Sequence, residues 1–204
     1  MKIVFGIDPG LKGGISVYYN NQIRYAIPMP VGADGEIDAL RLSTVIRKIR
    51  DCIRYELSGA NRQYVAYIEK VGAMPGQGVV SMFTFGNGYG VVKSVFKLHM
   101  QTHLVTPQTW KKTVLVDYDW KQKVEKLMIP KNATKDEIKN LKKEYAKRKA
   151  EAKRNSKFVS IQYVIDNYPY VDLIQKGKVP KDGIADACCI AVYGAIQENI
   201  FKRY

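Results

Sequence analysis

The stretch Met1-Lys-Ile-Val-Phe-Gly-Ile-Asp-Pro-Gly10 decides the reading of the fold. Ile3, Val4, Phe5 and Ile7 are β-branched or aromatic and form a short apolar run closed by Pro-Gly. Such a run predicts a strand buried on both faces and central in a sheet. Asp8 stands at its end, where a charge does not belong in a core. Pro9 and Gly10 break the strand, so a rigid turn holds the carboxylate at a strand edge. A carboxylate so placed suits metal ligation in phosphoryl chemistry. By itself, Asp-Pro-Gly is more often an ordinary turn; the rest of the chain weighs on that choice.

The chain has 204 residues, with 46% hydrophobic and 25% charged residues, an ordinary globular composition. A single domain over 1–204 is expected. The charge balance is unusual: 33 Lys and Arg against 19 Asp and Glu give a net +14. A chain this basic calls for a polyanionic partner, and nucleic acid is the first candidate. No apolar run approaches the roughly 18 residues of a membrane span, and the N-terminus lacks a signal-peptide core. These features predict a soluble, cytoplasmic protein with no membrane partner. Cys52, Cys188 and Cys189 lie in helix-like apolar contexts and read as buried thiols rather than disulfides or a zinc site. Two histidines, His99 and His103, give poor support for a His-rich metal site or a Ser-His-Asp triad.

Working outward, Ile15–Tyr19 and Ile23–Ile27 flank Asn20-Asn21 and predict a β-hairpin. With the first strand they form an antiparallel meander. Asp38 to Leu57 places Leu42, Val45, Ile46, Ile49, Ile53 and Leu57 on one helical face. Tyr64–Ile68 is a second buried strand that also ends in an acid, Glu69. Val79 to Met100 reads as a helix whose Gly86, Gly88 and Gly90 suggest close packing. Thr102–Val105 is a short strand, and Thr106-Pro107 an N-cap followed by Pro at the first helical position. Segment 111–157 carries 16 Lys and Arg against 7 Asp and Glu. Within it, Thr134 to Arg154 reads as a Lys/Glu-rich helix, either solvated or contacting nucleic acid. A separate core-facing helix resumes near Phe158. The last helix opens at Lys181-Asp182-Gly-Ile-Ala-Asp186. Asp182 there also suits a helix-capping role, whereas Asp186 stands among apolar residues. This order predicts an α/β domain with a mixed five-stranded sheet flanked by helices.

Asp8, Glu69, Asp182 and Asp186 therefore end strands or begin a helix. Gathered without Lys or Arg among them, they would repel one another by several kcal/mol in low dielectric. A divalent cation resolves that repulsion, and oxygen-only ligands favour Mg²⁺ or Mn²⁺. Two such ions about 4 Å apart can activate a water and stabilise a leaving oxygen in phosphodiester hydrolysis. The basic surface supplies a clamp for the nucleic-acid backbone.

Phe5-Gly-Ile-Asp-Pro-Gly10, the Ile68-Glu69 strand end and the Ala185-Asp-Ala187 helix resemble the RuvC family of Holliday junction resolvases. The resemblance is greatest to phage-type members, which share a Met-Pro-Gly-Gln-Gly loop and a Lys-Asp-Gly-Ile-Ala-Asp-Ala run. It covers roughly residues 1–113 and 156–197, with 114–155 as a basic helical insertion. It implies an RNase H-like fold, a homodimer, and paired nicking of four-way DNA junctions with two Mg²⁺ (Mn²⁺ substituting), in DNA recombination and repair. By position it implies Asp8, Glu69, Asp182 and Asp186 as catalytic metal ligands. The last two acids are four apart here and three apart in the cellular enzymes, which puts Asp182 in question. Met74 to Gln77 corresponds to a loop that enters the junction. Lys111 and Lys112 match a basic pair near the active site, and Lys12 is a further phosphate contact. In the basic stretch, Lys142, Lys143, Lys147 and Arg148 are the DNA-binding candidates. The helix Ser81–Met100 would carry the dimer interface, although Phe83, Phe85 and Phe96 read equally as core.

Competing readings are an RNase H-like nuclease acting on flaps, forks or RNA–DNA hybrids, and a non-catalytic basic nucleic-acid-binding domain. An ATP-using domain that opens with strand-Asp-Gly lacks its phosphate-binding glycine loops here.

Overall fold

The computed structural model describes residues 1–72, 78–120, 124–130, 132–175 and 179–202. Met74 and Gln77 lie outside the described residues. The chain order is β1 (Lys2–Asp8), β2 (Gly14–Tyr19), β3 (Gln22–Pro28), α1 (Ala39–Glu56), β4 (Gln63–Glu69) and α2 (Val79–His99). It continues with β5 (Gln101–Val105), α3 (Pro107–Val114), α4 (Lys135–Asn167) and α5 (Asp182–Gln197).

The five strands form one mixed sheet in the order β3-β2-β1-β4-β5, with β1 at its centre. β1, β2 and β3 are the expected antiparallel meander. Asn20 and Asn21 both take positive φ, 51° and 60°. A two-residue hairpin turn of the primed type requires this, and Asn tolerates it. β4 and β5 then add parallel to β1.

Alternation along β1 separates two cores. Ile3, Phe5 and Ile7 pack with Leu42, Ile46 and Ile53 of α1 and Val92 and Phe96 of α2. Val4 faces the other side, against Ile184, Cys188 and Ala191 of α5, Trp110 of α3, and Ile161 and Val164 of α4. Helices thus cover both faces of a central apolar strand, the α/β layer arrangement. Among the described residues no helix is long and apolar enough to cross a membrane.

α5 lies directly on β1 because small residues meet there. A Cβ on Gly6 would fall 2.1 Å from the Ala191 nitrogen and 2.3 Å from the Ala187 carbonyl oxygen. Gly183 bridges to Gly13, and a Cβ on Gly183 would fall 2.2 Å from the Lys12 carbonyl oxygen. Only glycine permits two backbones so close.

Several expectations are corrected. Thr134 begins one continuous helix of 33 residues rather than two, secured by a capping box with Glu137. Its N-terminal half projects exposed charge while Ile161 and Val164 join the core, so the apolar stripe changes but the backbone does not break. Among the described residues of 115–134 there is no helix or strand. Gly86 and Gly90 have open space where a Cβ would stand, and only Gly88 meets a neighbour, Ile37. Cys188 and Cys189 are buried, but Cys52 is exposed, lying next to the buried Ile53 on α1. Of the phenylalanines in α2, Phe96 is core, Phe85 is partly buried and Phe83 is 78% exposed.

Candidate active site

Strand parity aims two acids at one place. On β1, Val4 and Gly6 face α5, so Asp8, two residues further, faces the same way. On β4, Val65 and Tyr67 belong to that face, so Glu69 does too. Ile7 pairs with Ile68 in the parallel register, which sets Asp8 beside Glu69 at the C-terminal ends of adjacent strands. α5 contributes the next carboxylate. Gly183 is anchored at Gly13 and Ala187 at Gly6, and Asp186 lies between those anchors.

The electrostatics record this convergence. Burial, then the Asp186 and Glu69 carboxylates, push the Asp8 carboxyl from 3.8 up to about 8; Asp182 adds to the rise. The Gly10 N–H, 3.4 Å from Asp8 Oδ1, opposes it. Burial also raises Glu69, against a hydrogen bond from Trp110; Asp186 raises it further and Lys111 lowers it. Among the described residues, no group of three or more His, Cys, Asp or Glu side chains stands ready-made to hold a metal ion.

Asp182 is the first residue of α5, and the N-cap position belongs to Lys181, which makes no side-chain cap bond. Asp182 thus stands in the first turn of α5, where a carboxylate suits the positive end of the helix dipole. Its charge also reaches Asp8.

Trp110 was not among the candidates drawn from the sequence. β5 ends level with Glu69, since Val105 pairs with it. Thr106 caps α3 by accepting from the Thr109 N–H, and Pro107 takes the first turn. One turn later the fully buried Trp110 donates its Nε1–H to Glu69 Oε1 at 2.9 Å. The signal was the Thr-Pro cap next to a strand parallel to β4. Lys111 Nζ sits 5.1 Å from the Trp110 ring centroid, which keeps an ammonium near Glu69. Lys112 is exposed. Lys12 is exposed on the loop after Asp8. Lys142, Lys143, Lys147 and Arg148 are all exposed on α4, with Arg148 bridged to Glu144 at 2.6 Å.

The fold is α/β of the RNase H-like kind: a mixed five-stranded sheet flanked by helices. Solved structures share it, two of them RuvC structures. One is Thermus thermophilus RuvC in complex with a Holliday junction substrate, 13% identical, with a TM-score of 0.51 over 97% of this chain and 95% of that chain. The other is a Thermus thermophilus RuvC structure, 14% identical, with a TM-score of 0.50 over 97% and 96%. No family model and no curated protein matches the chain in sequence.

Proposed function

We propose that the chain is a metal-dependent, structure-specific endodeoxyribonuclease of the phage-type RuvC kind, which resolves four-way DNA junctions by paired nicking in the cytoplasm. The observation that carries this reading is the convergence of Asp8, Glu69 and Asp186 on one face of the sheet, with Asp8 driven up to about 8, in a chain of net charge +14. A merely structural carboxylate in a basic protein is normally placed near a cation rather than among other acids.

The donors are oxygen only, partly buried and mutually repelling, which fits Mg²⁺, or Mn²⁺ in its place. Asp8, Glu69, Asp182 and Asp186 would hold it. When bound, two such ions supply an activated water and a stabilised leaving oxygen. The chain's own residues do the rest. Gly10 orients Asp8, and the Trp110 indole fixes Glu69. Lys111, held against that indole, faces the phosphate from the Glu69 side, and Lys12 from the Asp8 side. Lys142, Lys143, Lys147 and Arg148 contribute affinity through phosphates further from the cut.

Paired nicking needs two active sites, hence a homodimer. Val79, Val80 and Phe83 support α2 as its interface, because these apolar side chains are 78%, 79% and 78% exposed.

The test is cleavage of a synthetic four-way junction in Mg²⁺, with flaps and RNA–DNA hybrids as alternative substrates and EDTA as control. The proposal expects symmetric nicks in the junction that EDTA abolishes. Binding without cleavage in Mg²⁺ leaves a non-catalytic nucleic-acid-binding domain. Cutting of the other substrates alone reassigns the specificity.

A further inference from the structure

Beside the acids lies a cavity of about 460 Å³ that the catalytic reading leaves unused. Leu11, Val179 and Pro180 line it together with the fully buried Ile184. Leu11 and Val179 are 41% and 61% exposed, large apolar side chains left facing solvent around one hollow. Its rim is charged: Lys12 and Lys181 are exposed, and Asp182, whose charge also reaches Asp8, lines it as well. Gly13 completes the link, since a Cβ there would stand 2.1 Å from the Asp8 carbonyl oxygen. The hollow therefore begins where the acid cluster ends.

Resting on the nuclease reading, we infer that this hollow receives one unstacked deoxynucleotide adjoining the scissile phosphate. Its volume is within the range of roughly 300–1,000 Å³ that holds a small organic ligand. Apolar walls match the face of a base, which enzymes acting on DNA commonly grip between apolar or aromatic side chains once it leaves the stack. The lysines match the phosphates on either side of that nucleotide. A branch point supplies such a nucleotide at low cost, because stacking is already interrupted there. The hollow would then make cutting depend on the presence of one base near the cut, a dependence that phosphate contacts cannot create.

The experiment first maps the cut on the parent. An abasic nucleotide is then moved through the two positions on each side of it. The expected result is one position at which base loss slows cleavage roughly tenfold, equivalent to about 1.4 kcal/mol. The double variant Leu11→Ser, Val179→Ser should cleave the intact junction about tenfold more slowly and be indifferent to that abasic site. Both side chains are exposed, so its Tm should match the parent's, and Leu11→Ala alone should show a smaller loss in the same direction. In a second measurement, without divalent metal, 2-aminopurine at that position should brighten on binding the parent and not the double variant. A parent that cuts junctions but ignores every abasic position overturns this inference alone. So does a double variant that keeps the parent's tenfold sensitivity. A parent that cuts no four-way junction overturns the nuclease reading and this inference together.

Discussion

Asp8→Asn should stabilise the metal-free protein while abolishing cleavage. The folded Asp8 carboxyl titrates at about 8, against 3.8 ordinarily. Between those values the folded chain holds a proton that the unfolded chain has released. Stability then falls as pH rises: the contribution is whole below about 4 and lost once pH passes about 8. At 1.36 kcal/mol per pKa unit the ceiling is roughly 5 to 6 kcal/mol. Side-chain rotation and water entry relieve part of this, leaving about 2 kcal/mol, in line with an effective interior dielectric near 20. For a chain of 204 residues, that is a Tm difference of roughly 4 to 8 °C. Asn keeps the acceptor oxygen that takes the Gly10 N–H and has no charge to desolvate.

The assay is thermal melting of parent and variant in EDTA from pH 4 to pH 8. The two curves should meet near pH 4 and separate towards pH 8, with the variant the more stable. Mg²⁺ at pH 8 should then raise the parent's Tm by binding the folded state, and the variant's far less. A variant that melts at or below the parent at pH 8, or a gap that does not change with pH, refutes the argument that Asp8 is held among like charges. Junction binding by the variant should persist, since it rests on Lys and Arg.

Four further outcomes are expected. Asp186→Asn should show no cleavage at any Mg²⁺ concentration, and Asp182→Asn should be severely impaired with partial rescue by excess Mn²⁺; parent-like cutting by Asp182→Asn in a nicking assay removes it from the ligand set. Trp110→Phe keeps most of the buried ring but leaves Glu69 without its indole donor, so kcat should fall about tenfold, for a stability loss of about 1 to 2 kcal/mol by urea titration. Replacing Lys142, Lys143, Lys147 and Arg148 with Gln should flatten the salt dependence of junction binding by about one unit per lost phosphate contact; an unchanged slope in fluorescence titrations makes this half of α4 a solvated helix. Gly6→Ala should lower Tm by more than about 6 °C, because overpacking costs about 1 to 3 kcal/mol or more and the Ala187 and Ala191 backbone has nowhere to yield.

Much of the frame was legible in the residues. The apolar run before Asp8, the Asn20-Asn21 turn, the stripe of α1 and the Thr106-Pro107 cap are local signals, and each element formed where its signal lies. The alternation of period two even fixes that Asp8 and Glu69 face the same side as Val4 and Tyr67 once the register is known. The continuity of α4 was less legible, because a change from a charged to an apolar stripe looks like a boundary although no breaker residue intervenes. The open space at Gly86 and Gly90, and the exposure of Cys52, depend on which neighbours arrive, and composition does not say.

By itself, the sequence determined the strands and helices, their apolar faces and the basic charge, since these follow from side-chain size, polarity and spacing along the chain. Only the tertiary structure decided that Trp110 holds Glu69, that the charge of Asp182 reaches Asp8 from the start of α5, and that Leu11 and Val179 border one hollow beside the acids. Those relations join residues as far as 174 positions apart, Asp8 and Asp182 among them. Their strength depends on burial and on distances through space, which exist only once Gly6 and Gly183 have let α5 settle onto the central strand.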